Sequence, residues 1–191
     1  MSTWANESAF EYARFNSESA AEFIETHFDS RTLAAYRKCA IPAMQADFFR
    51  YCALWVHGGV YVDADTGNSG KLPELISGRK IGLLMTRQTR IANDFLFVRQ
   101  PHAELYEKSV EQAVENVENE ISNNVWMVTG PGIMTHMHED PERSSIFEGY
   151  DMEPASLVRQ YVLFRNDLEY KSGDQDWRKN LKEGGESIFV S

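Results

Sequence analysis

The stretch ADFFRYCALWVHGGVYVDADTG, from Ala46 to Gly67, restricts this chain more than any other part of it. Phe49, Ala53, Leu54 and Val56 recur at helical spacing, which predicts a helix carrying Asp47 and Arg50 on one face. Gly58-Gly59 stops that helix, because glycine accepts the left-handed conformation common just past a helix end. Val60-Tyr61-Val62 then reads as a short strand, and Asp63 and Asp65 stand two apart in extended chain. With the strand ending at Asp63, the backbone is free to turn both carboxylates toward one opening. The carboxyl end of a strand in an open α/β sheet is where ligands bind.

Two close carboxylates repel each other unless a positive charge lies between them, and a hard divalent cation is the common solution. Mg2+ or Mn2+ takes oxygen ligands, keeps several waters and is often completed by substrate phosphates. Asp63-Ala64-Asp65 therefore predicts a metal–diphosphate site. Taken singly, Asp47–Arg50 also reads as a surface ion pair, and Asp63-Ala64-Asp65 as a strand end entering a turn. Together, at this spacing, they point to one ligand.

The spacing of Asp47, Arg50, Gly58-Gly59, Tyr61, Asp63 and Asp65 resembles the DXD region of sugar-transferring enzymes of the Och1-like mannosyltransferase and capsular polysaccharide type, a pattern shared with the glucosylating clostridial toxins. The resemblance implies a mixed α/β fold of the GT-A type, with a central sheet flanked by helices. It implies transfer of a hexose, with retention, from a UDP- or GDP-sugar to a glycan or other hydroxyl acceptor, and use of Mn2+ or Mg2+. By resemblance, Asp47, Arg50, Tyr61, Asp63 and Asn93 hold the donor sugar, and Asp63 and Asp65 the metal. Thr129-Gly130-Pro131 resembles the family's loop near sugar and acceptor. Asp176-Trp177 resembles its late closing segment, with Asp176 as a further metal ligand, although the usual upstream histidine is absent. Without the resemblance, Asn93 and the Thr129 loop read as turns and Trp177 as a packing residue.

The family's first strand, of the kind Ile-Pro-Lys-x-Ile-His-Gln-x-Trp, is not found before Phe10-Glu11-Tyr12. Its neighbour is then expected to have unpaired backbone groups: self-association or a partner chain covers that edge, the fold compensates, or donor binding is weak.

A length of 191 residues fits one domain with a real core. A net charge of −10 argues against nucleic acid or an anionic membrane as partner. A sugar nucleotide remains admissible, since its charge is met locally by a metal and Arg50. With no apolar run of about 18 residues and no leader pattern, the expected location is cytoplasmic. Cys39 and Cys52 lack CxxC spacing and read as buried thiols.

Elsewhere a strand is expected around Phe10–Phe15, and a helix from an Asn16-Ser17 cap through Phe28 with Phe23, Ile24 and His27 inward. Helices then start at Asp29-Ser30 and at Pro42. Strands are expected over Ile81–Met85 and Ile91–Arg99. A long helix opens at Pro101 with a core stripe that reaches Ile121 and ends at Asn123-Asn124. A helix follows from Ile133 to about His138, and a strand over Val158–Phe164.

Two other functions fit parts of the chain. VYVDADT matches the first motif of haloacid-dehalogenase-type phosphatases, with Asp63 as nucleophile and Asp65 as general acid. The absent first strand also fits a non-catalytic sugar-nucleotide-binding module.

Overall fold

The computed structural model describes residues 3–6, 8–165 and 187–190. Helix α1 (Ser17–His27) begins at Asn16, whose side chain accepts the Ser19 amide at 2.8 Å while the Ser19 hydroxyl accepts the Asn16 amide at 2.9 Å. This reciprocal cap satisfies two of the amides that a helix start leaves bare. Asp29 caps α2 (Ser30–Lys38) one way only, its Oδ1 accepting both the Thr32 amide at 2.8 Å and the Thr32 hydroxyl at 2.7 Å. Pro42 sits in the first turn of α3 (Pro42–His57), where its missing N–H costs nothing. Gly58 and Gly59 have φ of 65° and 84°, and they swing the chain from α3 into β1 (Gly59–Val62).

The remaining elements are β2 (Thr66–Asn68), α4 (Leu72–Ile76), β3 (Gly82–Arg87), β4 (Arg90–Val98), α5 (Glu104–Glu118), α6 (Val125–Val128), α7 (Gly132–Glu139), β5 (Tyr150–Pro154), α8 (Ala155–Val158) and β6 (Val162–Phe164). The main sheet has the order β1-β4-β3-β5. Its β1/β4 and β4/β3 pairs are antiparallel and its β3/β5 pair is parallel, so the sheet is mixed as expected. A small antiparallel pair joins β2 to β6.

The sheet separates two apolar cores. On one face Leu84, Leu96 and Val98 pack with Phe48, Tyr51, Leu105, Tyr106 and Val114 from the helices. On the other, Leu83, Phe95 and Phe97 pack with Trp4, Leu72, Leu75, Val158 and Val162. Alternating strand residues supply the two faces, as the two-residue period of a strand requires.

One irregularity shapes the site. Leu84 pairs with Leu96, but the next β3 residue, Met85, pairs with Ala92, so Asn93, Asp94 and Phe95 bulge out of that ladder. Bulges re-aim side chains beside ligand sites.

Several expectations are corrected. Residues 11–16 form no strand; Phe10 and Phe15 leave an extended coil toward opposite cores. His27 is exposed, lying against Phe23 at a ring separation of 4.6 Å. The long helix stops at Glu118, so Ile121 falls beyond its stripe and is 49% exposed. Asn124 caps α6 instead of closing α5. The segment expected as one strand over Val158–Phe164 contains the end of α8, a turn and the short β6. Strand β5 carries no burial alternation, which hid it from sequence reading. Cys39 and Cys52 are buried free thiols, and burial pushes Cys39 up to about 12.

Candidate sugar-nucleotide site

Asp47 and Arg50 occupy adjacent turns of α3, and Arg50 Nη2 lies 2.7 Å from Asp47 Oδ1. The same nitrogen reaches 3.2 Å across to Asp63 Oδ1, one residue past the end of β1. Arg50 also donates from Nη1 to the Asn93 carbonyl and from Nε to the Ala46 carbonyl, and it lies over the Tyr61 ring at 4.6 Å. With 3% exposure, the guanidinium is a buried strut beneath the carboxylates. Burial works against its charge, and Asp47 and Asp63 more than restore it, so its pKa rises.

Asn93 donates to Asp47 Oδ1 at 3.0 Å and to the Tyr51 hydroxyl at 3.3 Å. The Tyr51 hydroxyl in turn donates to the Gly130 carbonyl at 3.1 Å. The loop Thr129-Gly130-Pro131 is thereby tied to the helix that carries Asp47 and Arg50. Its geometry needs glycine, since a Cβ on Gly130 would come within 2.8 Å of Trp126 Cα.

The turn after β1 is braced from three sides. The Thr66 hydroxyl donates to the Asp63 carbonyl at 2.7 Å, and Trp4 Nε1 donates to Thr66 Oγ1 at 3.2 Å. The Arg165 amide, just past β6, donates to the Asp65 carbonyl at 2.9 Å. These contacts fix the backbone on which Asp63 and Asp65 stand.

Asp47, Asp63 and Asp94 place three carboxylates beside two guanidiniums, with Asp94 held by the half-exposed Arg87. Burial raises the Asp47 carboxyl to about 6, opposed by Arg50 and assisted by Asp63. Asp63 is also raised, first by burial and then by Asp94, with Arg50 working the other way. Such excess negative charge suits a ligand that brings hydroxyl donors or a cation.

Asp47, Arg50, Tyr61, Asp63 and Asn93 are thus brought together, with Thr129-Gly130-Pro131 one residue away through Tyr51. Asp65 stands partly exposed beyond Ala64 on the same turn. Asp176 and Trp177 lie outside the described residues. A cavity of about 400 Å3, lined by Phe28, Arg31, Trp55, Glu107 and Val114 among others, includes none of these residues. Among the described residues no three of His, Cys, Asp and Glu form a group that could hold a metal ion. The donor chemistry nonetheless fits a Mg2+-type ion, which is commonly bound by one or two carboxylates and completed by substrate phosphates. Asp63 leaves one carboxylate oxygen outside its bonds to Arg50 and Tyr61.

Sequence reasoning missed Trp4, Tyr51 and Asp94. Tyr51 gave no sign of its role, and only Thr66, a hydroxyl three residues after Asp63, hinted that the turn is internally bonded.

Residues 2–81 match the family described as "glycosyltransferase sugar-binding region containing DXD motif". The matched region is less than half of the chain. That region holds Asp47, Arg50, Asp63 and Asp65; Asn93 and the Thr129 loop lie beyond it. An uncharacterized glycosyltransferase of Acanthamoeba polyphaga mimivirus is 44% identical over 43 residues, which is 22% of this chain and 17% of that protein. Among solved structures, PaToxG glycosyltransferase aligns with a TM-score of 0.42 and 18% identity, over 90% of this chain and 56% of that one. The chain therefore spans well under two thirds of each of these relatives. The ties of Asp63 to Arg50 and Tyr61 engage only one oxygen of the carboxylate that the phosphatase alternative would use as nucleophile.

Among the described residues no helix is long and apolar enough to cross a membrane.

Proposed function

We propose that this protein is a metal-dependent, retaining hexosyltransferase that uses a UDP- or GDP-sugar and a glycan or other hydroxyl acceptor. The observation that carries the reading is the convergence on the buried Arg50 of Asp47 and Asp63, which lie within the stretch matching the DXD glycosyltransferase family, with Asn93 from beyond it. In this reading the Asp47 carboxylate accepts hydroxyls of the donor hexose. Asn93 fixes Asp47 from behind, and Arg50 keeps both acids ionised while holding α3 and the end of β1 in register. Tyr61 supports Arg50 from below and donates to Asp63, so the carboxylate oxygen left outside those bonds is directed outward.

Asp63 and Asp65 would hold the divalent ion, with Asp176 as a further ligand; when bound, it supplies Lewis-acid stabilisation to the leaving diphosphate. Thr129-Gly130-Pro131 flanks the acceptor side, with Trp177 closing over the donor. A retaining transfer needs no general base from the protein, and none is assigned.

The test is a panel of UDP- and GDP-hexoses assayed for donor hydrolysis and binding heat with Mn2+ and Mg2+, alongside aryl-phosphate hydrolysis. Metal-dependent binding of at least one donor supports the reading. Aryl-phosphate turnover without donor turnover would replace it with a phosphatase, and a folded sample that binds no donor would reduce the protein to another kind of module.

A further inference from the structure

The cavity of about 400 Å3 between α2, α3 and α5 shares no residue with the site described above. Phe28, in the junction of α1 and α2, and Trp55, in the last turn of α3, line it, and Val110 and Val114 of α5 reach it from the buried core. Trp55 lies five residues past Arg50 on the same helix. Five residues are roughly 140° of helix rotation, so the indole leaves α3 on another side from the guanidinium.

Trp55 is fixed in place. Phe28 packs against it at a ring separation of 5.2 Å, and His102 meets it edge-on at 4.6 Å. The His102 amide also donates to the Trp55 carbonyl at 2.6 Å, with His102 at a φ of 57°. A residue with a side chain adopts that left-handed conformation only where its surroundings enforce it. The indole is therefore a rigid wall.

The charges at the opening do not balance. Asp29, Glu107 and Glu111 line it, and Arg31 is its one lysine or arginine. Arg31 is already taken by Glu118 through two bonds of 2.8 and 2.6 Å. Asp29 gives one oxygen to Thr32, and Glu111 gives one to Lys108 at 2.7 Å. Anions, sugar nucleotides and phosphates among them, are repelled by such a rim. A wholly apolar ligand would cover the carboxylates without compensating them. A compact organic cation meets both demands: the faces of tryptophan and phenylalanine and the carboxylates attract its charge, while its alkyl groups pack on the valines. The volume is that of a small-molecule site.

We propose that this cavity binds a small organic ammonium compound, held against Trp55 and Phe28 and neutralised by Glu107 and Glu111. The inference does not depend on the glycosyltransferase reading.

The experiment titrates the full chain by calorimetry and NMR with choline, with the neutral choline analogue in which carbon replaces the charged nitrogen, and with maltose. Choline is expected to bind saturably and to shift the Trp55 indole N–H resonance, which is identified by its loss in Trp55→Phe. The neutral analogue should bind about tenfold more weakly, and maltose should give no heat. Trp55→Phe keeps an aromatic wall and should retain choline binding, whereas Trp55→Leu should abolish it. The double variant Glu107→Gln/Glu111→Gln changes two exposed positions and should weaken choline binding at least threefold, on the order expected for exposed charges. Melting curves check that each variant is folded, and the glutamine pair decides the matter if Trp55→Leu is not. Absence of choline binding by native protein, equal binding of the neutral analogue, or choline binding unchanged in the glutamine pair overturns the inference. Binding of maltose in place of choline overturns it too and makes the cavity a saccharide site. None of these results alters what the donor panel says about the Asp63 site.

Discussion

Arg50 and Asp63, thirteen positions apart in sequence, meet at 3.2 Å between a helix and the end of the strand that follows it. The contact closes a loop made of the last two turns of α3, the Gly58-Gly59 turn and β1. Its consequence is that Asp47 and Asp63 are set on a rigid unit, not on a free loop, which is what an electrostatic site requires.

Removing that guanidinium leaves two buried carboxylates without their counter-charge. Arg50→Met is expected to cost about 3–5 kcal/mol, the usual penalty for breaking a buried pair from one side. Chemical denaturation of native and variant protein checks this. A variant as stable as the native chain would mean that Asp47 and Asp63 are compensated elsewhere.

The pH dependence of stability follows from Asp47, whose carboxyl is raised to about 6 by burial, against an ordinary value of about 3.9. Between these values the folded chain keeps a proton that the unfolded chain has lost. The stabilisation is therefore complete below about pH 4 and is lost as pH rises through about 6. Melting temperatures measured without metal from pH 4 to 7 should fall across this window, and Asp47→Asn should flatten the fall.

Asp65→Ala is expected to remove Mn2+-dependent donor binding in a protein that still folds, because the Asp65 carbonyl that accepts the Arg165 amide is retained by alanine. Calorimetry with donor, in the presence and absence of Mn2+, reads the first part. Metal dependence that survives the substitution would contradict the assignment.

Gly130→Ala pushes a methyl within 2.8 Å of Trp126 Cα, a backbone atom that cannot step aside alone. The expected cost is about 1–3 kcal/mol, typical of overpacking, with a further fall in transfer rate as the loop tied to Tyr51 shifts. A denaturation midpoint and donor hydrolysis rate equal to the native ones would show the loop to be slack.

Trp4→Phe removes the indole N–H that reaches Thr66 at 3.2 Å to Oγ1 and 3.3 Å to its carbonyl. A loss of about 1 kcal/mol corresponds to a melting point about 2–4 °C lower in a chain of this size. Thermal melting checks it.

The local parts of this protein were written in its sequence. The helix from Pro42, its glycine stop, the short strand and the following acids could all be read, because helix periodicity, left-handed glycine and strand alternation act over a few residues. Asn16 and Asp29 announced their helices for the same reason. Only the tertiary structure decided what those acids face. Asn93 lies forty-six positions from the Asp47 it holds, Tyr51 reaches the Gly130 loop, and Trp4 supports Thr66 from sixty-two positions away. Strand β5 and the bulge at residues 93–95 depend on a neighbour's hydrogen bonds, so neither had a local signal. Periodicity is a property of the chain itself, whereas the direction in which a buried carboxylate points is set by partners that only folding brings near.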